Sequence, residues 1–333
     1  MIPAVDSDAR SAYVHVPFCR HRCGYCNFSV IADRDDLIDR YIQAIRTEIA
    51  RAAPTARQPL ETLFIGGGTP THLPPKPLAA LLTHLRESFD FARTMEWSVE
   101  ANPEDITEEK LRLLVDFGVN RISLGVQSFQ DSKLSQLERG HRGDDAIKRI
   151  ELAADFIPKI SADLIFAAPG ESLKAWQRDL EIVTRLPLKH VSTYALTFEK
   201  GTSFWARRQK TLLHAVDEET ELAMYDLARE HLETHGLHHY EISNFAADAS
   251  ECRHNLAYWR GEPWYAFGPG AAAYLGNRRT VNHRSTTTYL KKIESGESPI
   301  AETDEIDRDQ ALREAAAFGI RLIDGIRPER LSD

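Results

Sequence analysis

Cysteine is scarce in this chain, with four among 333 residues. So few thiols cannot lace a disulfide scaffold, and in a chain this long they fit a reducing compartment. Long apolar runs are missing too. No window approaches the roughly 18 unbroken apolar residues of a membrane span, and the opening MIPAVDSDAR lacks the basic-then-apolar order of a secretory signal. Nor is positive charge in excess: 41 lysines and arginines stand against 50 acidic residues, a net charge of -9. Without a basic block to meet a phosphate backbone, nucleic acid is not an expected partner. A cytoplasmic globular protein remains, with 42% hydrophobic residues and enough length to bury one large core or two ordinary ones.

Three of the four cysteines nevertheless crowd together, Cys19, Cys23 and Cys26 in YVHVPFCRHRCGYCNFSV at 13–30. They follow the first of six short apolar, β-branched runs that read as strands, at 12–16, 62–66, 97–101, 121–126, 160–166 and 190–196. Between them, helical spacing of apolar residues predicts helices near 36–52, 76–89, 107–117, 144–155 and 173–186. Strand alternating with helix is the pattern of βαβ units, so the expected fold class is α/β, an incomplete parallel (β/α)6 barrel. In such barrels the loops at the C-terminal strand ends carry the chemistry. Beyond residue 200 the pattern changes to a smaller, mainly helical part. A charged helix is expected at 216–235, then YEISNFA, an aromatic-rich segment at 254–274, and helices near 286–295 and 306–323. The ending IRPERLSD follows an amphipathic helix with little sequence left to cover it, and so reads as truncated. The expected divisions are a core at 1–200, an extension at 201–285 and the start of a helical domain at 286–333.

The spacing C-x3-C-x2-C in the loop after a strand suits an iron–sulfur cluster in which three thiolates each hold one iron and a fourth iron stays open. Spacing alone also allows a zinc site completed by His15 or His21, or three buried thiols. Other strand ends add to the pattern. The second carries Gly66, Gly67 and Gly68 in FIGGGTPT, where a backbone can approach a ligand that a Cβ would exclude. Glu100, Gln127 and Asp163 end the next three strands, and unpaired polar groups there are costly unless they bind something. Arg139 adds a cation suited to a carboxylate.

Together YVHVPFCRHRCGYCNF, FIGGGTPT, EANPE, LGVQSF and DLIFAAPG resemble the radical S-adenosylmethionine superfamily. Within it they resemble the branch of oxygen-independent coproporphyrinogen III oxidases and HemW-type heme chaperones. The resemblance implies that Cys19, Cys23 and Cys26 hold a [4Fe-4S] cluster whose open iron takes the amino and carboxylate groups of S-adenosylmethionine. Reduction of the cluster then cleaves the sulfonium to a 5′-deoxyadenosyl radical. Carried over by motif, Tyr13 and Tyr25 flank the cluster, and Gly67, Gly68 and Thr69 contact the methionine part. Glu100, Gln127, Arg139 and Asp163 bind the rest of the cosubstrate, and Ala195 in TYAL lies against the adenine.

Oxidases of this branch usually carry a further cysteine two places after the third cluster ligand, where this chain has Phe28, and a long arm before the first strand, where it has about a dozen residues. Both departures turn the reading toward the chaperones. RHNLAYW, with His254, Asn255, Tyr258 and Trp259, resembles the H-N-x-x-Y-W segment associated with heme in them. A neutral imidazole can ligate heme iron, and the two aromatic rings offer flat apolar faces to a porphyrin. The glycines around Pro269 that follow predict a rigid loop at the rim. The expected function is therefore heme binding and delivery to respiratory proteins, with the oxidase and a radical methyltransferase as the alternatives. This reading leaves room for transient membrane association and for a homodimer.

Overall fold

The computed structural model describes residues 8–52 and 58–326. Residues 327–333, on which much of the expectation of an abrupt ending rests, lie outside them. The chain runs β1 (Ser11–Val16), β2 (Phe18–Cys19), β3 (Ile31–Ala32), α1 (Ile38–Ala52), β4 (Leu60–Gly67), α2 (Pro75–Ser88), β5 (Phe91–Ala101), α3 (Glu108–Asp116) and β6 (Arg121–Gln127). It continues through α4 (Asp131–Gln136), α5 (Gly143–Ala154), β7 (Lys159–Phe166), α6 (Leu173–Val183), β8 (His190–Ala195), α7 (Ser203–Gln209) and α8 (Glu218–Thr234). The last part comprises β9 (His238–Glu241), β10 (Asn244–Ala246), α9 (Arg253–Trp259), β11 (Trp264–Phe267), β12 (Ala272–Leu275), β13 (Arg278–Asn282), α10 (Thr286–Glu294), β14 (Ile300–Glu305) and α11 (Arg308–Gly319).

The six expected strands form the centre of one sheet, β1-β4-β5-β6-β7-β8, every neighbouring pair parallel. Their residues are buried on both faces, as a strand covered by crossover helices must be. The helices dock by apolar stripes. On α1, Tyr41, Ile42, Ile45 and Ile49 recur at helical spacing and are buried, and on α6 Trp176, Leu180 and Val183 do the same. Their starts are set by side-chain caps: Thr107 accepts from the Lys110 amide, Ser172 from Ala175 and Asp217 from Thr220.

The sheet does not stop at the barrel strands. Beside β8, β10 and β9 add antiparallel; beside β1, β11 adds parallel and is followed by antiparallel β12, β13 and β14. These edge strands went unanticipated because they are short, aromatic or charged rather than β-branched, and β14 (IAETDE) is almost wholly exposed. The pairing of β11 with β1 matters most, for its register sets Phe267 against Val14 and so brings the loop at 268–272 to the end of the first strand.

Candidate functional site

At the C-terminal ends of β1 and β4 the cysteine loop and the glycine run are tied by backbone. Gly68 N donates to Val16 O at 2.7 Å and Thr69 N to Phe18 O at 2.7 Å. The contact excludes side chains: a Cβ on Gly68 would stand 2.6 Å from Phe18 O, and one on Gly67 2.4 Å from the His15 ring. Cys19 Sγ lies 3.6 Å from Thr69 Oγ1, and Arg139 Nη1 3.6 Å from Cys23 Sγ. The Cys26 amide closes a turn on Cys23 O at 3.0 Å. Burial pushes the Cys19 thiol up to about 12 and raises that of Cys26, so both stay protonated until a metal displaces the proton. Among the described residues no three histidine, cysteine or acidic side chains converge as a single ion requires. A four-iron cluster takes one thiolate on each of three irons.

The polar residues of the neighbouring strand ends form one connected set. Glu100 is partly buried and accepts from the Gly67 amide at 2.8 Å. Its carboxyl is pushed up to about 7, first by burial and then by Asp163. Asp163, also raised by burial, accepts from Ser123 Oγ at 3.0 Å. Arg139 donates through Nη2 to Asn102 Oδ1 at 2.6 Å and to Gly125 O at 2.7 Å, while its buried Nε has no partner among the described residues. Asn102 in turn donates to Thr69 at 2.9 Å. Gln127 ends β6 with φ +66° and Ala167 follows β7 with φ +59°. Such left-handed conformations cost of order 1–3 kcal/mol and concentrate where ligands are held. Tyr25 is partly buried, edge-on against Phe204 at 6.0 Å, next to Arg139 and Cys23. Ala195 ends β8 opposite Phe166. Asn102 was missed in the sequence although it stands two places after Glu100 in EANPE; its role as a bridge between Thr69 and Arg139 exists only in three dimensions.

A cavity of about 540 Å³ opens beside this set. Its walls include Tyr13, Gly67 and Glu100 from the barrel, Phe28 and Ser29 from the cysteine loop, and His254, Asn255, Tyr258, Trp264 and Arg284 from the extension. Tyr13 OH donates to His15 Nδ1 at 3.0 Å, since His15 Nε2 must carry the proton given to Ser29 O at 2.9 Å. His15 is neutral, burial lowering it to about 4. His254 is buried as well and lowered to about 3. Both its nitrogens are engaged, Nδ1 with Thr62 Oγ1 at 2.8 Å and Nε2 with Tyr258 OH at 2.8 Å. Of the H-N-x-x-Y-W residues, Trp259 alone does not reach the cavity; it packs under Arg321 at 4.5 Å and toward Phe318 at 6.3 Å. Phe28, noticed in the sequence only as a departure, is 62% exposed at the cavity mouth.

Residues 13–183 match the family described as the Radical SAM superfamily. The chain is 38% identical over 330 residues to the heme chaperone HemW of Bacillus subtilis (strain 168), covering 97% of this chain and 86% of that one. It is 36% identical to the HemW of Mycobacterium tuberculosis, covering 96% and 83%. The chain belongs to the HemW family of the radical SAM superfamily. A mitochondrial radical S-adenosyl methionine domain-containing protein 1 from Danio rerio is 31% identical over 95% of this chain and 73% of its own. In fold the chain superposes on the coproporphyrinogen III oxidase HemN of Escherichia coli with a TM-score of 0.84 at 22% identity, over 96% of this chain and 77% of that one. This likeness bears on the fold. The cofactors of a radical SAM protein are a [4Fe-4S] cluster and S-adenosylmethionine. Among the described residues no helix is long and apolar enough to cross a membrane.

Proposed function

We propose that the chain is a heme chaperone, which holds heme next to a [4Fe-4S] cluster and S-adenosylmethionine and passes it to acceptor proteins. The observation that carries this reading is the shared cavity. Gly67 and Glu100, on the cosubstrate side, and Asn255 and Tyr258, on the heme side, are walls of one space. Its volume lies in the range of small-molecule sites, about 300–1,000 Å³.

The residues fit the cofactors. Cys19, Cys23 and Cys26 would hold three irons, with Arg139 near Cys23 offsetting thiolate charge. Bound there, the cluster supplies an open iron for the amino and carboxylate groups of S-adenosylmethionine and an electron for its cleavage. The cradle of Gly67 and Gly68 is too close to His15 and Phe18 for any side chain, and so leaves backbone facing a ligand. Arg139 Nε and the partly buried carboxyls of Glu100 and Asp163 are the polar groups that would meet the rest of the cosubstrate. Gln127 and Ala195 complete the strand-end rim. In this division the core to residue 200 serves the cluster and cosubstrate, while the extension at 201–285 supplies the heme wall. The reading takes respiratory proteins as the acceptors and the cytoplasm as the location, and leaves room for transient membrane contact and for a homodimer.

Phe28 favours delivery over decarboxylation. It stands where the oxidases place a further cysteine, and it presents an apolar ring to the cavity mouth instead of a thiol. Anaerobic reconstitution with iron and sulfide, followed by titration with hemin and an assay for protoporphyrinogen formed from coproporphyrinogen III, tests the reading. Stoichiometric hemin binding with no decarboxylation is the expected result. Turnover of coproporphyrinogen would replace the chaperone by the oxidase.

A further inference from the structure

His254 is the imidazole of the heme motif, yet the structure gives it other work. It is 1% exposed, lies stacked on Phe64 with centroids 5.2 Å apart, and spends both nitrogens on hydroxyls of Thr62 and Tyr258. Reaching an iron would break a buried hydrogen bond and orphan its partner before any bond to metal forms. His15 is equally tied, to Tyr13 OH and Ser29 O. Tyr258 differs from both. It lies one helical turn after His254 on α9, half-buried on the cavity wall, its ring edge-on to Trp264 at 4.6 Å. Its hydroxyl oxygen sits 2.8 Å from His254 Nε2.

We propose that Tyr258 Oη is the protein's ligand to ferric heme iron in this cavity, and that His254 is the positioning residue that takes the phenol proton. The assignment rests on the heme-chaperone reading above. Tyrosinate is an established axial ligand of heme, and ligands to a metal are commonly held and tuned by a partner on their other side. On ligation the Tyr258 O–H bond breaks and an Fe–O bond forms. The proton passes to His254 Nε2, whose Nδ1–H donates to Thr62 Oγ1; iron stays ferric and no electron moves. Charge is conserved within the pair, an imidazolium forming beside the phenolate. In the apo protein Tyr258 keeps its proton and donates it to His254 Nε2 across 2.8 Å. The dyad is therefore discharged until iron arrives.

Resonance Raman and EPR spectra of the reconstituted, hemin-loaded protein test the assignment, with tyrosine ring-deuterated in a parallel sample. Wild type is expected to show phenolate modes that shift with the label, and Tyr258→Phe to lose them while still taking up hemin more weakly. His254→Gln, whose amide can still hold the Tyr258 oxygen but cannot take its proton, should show the phenolate modes only at higher pH, with about a tenfold rise in the hemin Kd, the lower end of what removing a ligand's partner costs. Tyr13→Phe should keep them unchanged. A Tyr258→Phe spectrum identical to wild type would overturn the assignment alone, as would loss of the wild-type spectrum in Tyr13→Phe only. Wild-type protein that binds no hemin would overturn the chaperone reading together with it.

Discussion

Replacing Gly67 by alanine separates two costs that the structure makes countable. The first is backbone: Gly67 has φ +105°, outside the regions an L-residue favours, at about 1–3 kcal/mol. The second is steric. A Cβ there would lie 2.4 Å from His15 Cε1 and 2.5 Å from Nδ1. His15 cannot swing away, because it is 6% exposed and bonded to Tyr13 OH on one side and Ser29 O on the other. Overpacking of this kind costs about 1–3 kcal/mol. The sum, about 4 kcal/mol, is a large part of the 5–15 kcal/mol that typically holds a domain folded. Gly296→Ala is the internal control, since Gly296 has φ +78° but no heavy atom within 4 Å of the added Cβ. It should cost about 1 kcal/mol. Equilibrium urea unfolding of the two variants, followed by tryptophan fluorescence, measures the difference, and S-adenosylmethionine affinity of the reconstituted protein should fall only for Gly67→Ala. Equal midpoints for the two variants would refute the argument that His15 is a fixed wall of the cradle.

The remaining expectations follow from the same contacts. Glu100 is raised from 4.5 in the unfolded chain to about 7 in the folded one, so between those values the folded state binds more protons and stability falls as pH rises, fully present below about 4.5 and lost through 7. Urea midpoints of apo protein at pH 5 and pH 8 should show this slope, and Glu100→Gln should flatten it. Lys133→Met removes the cation that holds Glu171 at 2.5 Å and Asp179 at 3.2 Å, all three buried. Breaking such a group costs about 3–5 kcal/mol; thermal unfolding should show it, and a loss within 1 kcal/mol would count against the pairing. Single alanine variants of Cys19, Cys23 and Cys26 should each fail to retain the reconstituted cluster by iron and sulfide analysis, while Cys252→Ala, buried apart at the start of α9, should retain it. Arg284→Glu, at the cavity wall, should weaken hemin binding in a salt-dependent way, as loss of a cation facing the heme carboxylates requires.

What could be read in advance was what repeats locally. The six parallel strands are apolar, β-branched and bounded by loops, and each residue at a strand end is fixed to that end by the alternation of the strand. The helices announce themselves by apolar spacing and by caps such as Ser172 and Thr107. The cysteine spacing and the glycine run are equally local. Asn102 and Arg284 escaped because their roles come from partners far along the chain, Thr69 and Arg139 for the first and Asn27 for the second, and the role of His15 depends on the loop that brings Ser29 back to it. Nothing in the composition of a short aromatic edge strand such as WYAF (264–267) distinguishes it from a loop, since what stabilises β11 is the hydrogen-bonding edge of β1 rather than its own residues.

That edge pairing is what joins the two halves of the proposed activity. Because β11 runs parallel to β1, Gly268 comes so close to the first strand that a Cβ on it would meet His15 O at 2.4 Å. Glu48 of α1 then locks the turn, accepting from Gly268 N at 2.8 Å, Asn282 Nδ2 at 2.6 Å and Tyr289 OH at 2.6 Å. On the near side of His15 stands the Gly67 cradle, and on the far side the loop that carries Gly270 and Ala271 into the heme wall. A single buried histidine thus separates the cosubstrate's floor from the extension's rim. Any shift of the glycine run when S-adenosylmethionine binds has His15, Tyr13 and the stacked His254 as its first neighbours. The row continues to Tyr258, edge-on to His254 at 4.8 Å, so one packed row of aromatic rings runs from the glycine cradle to the proposed heme wall.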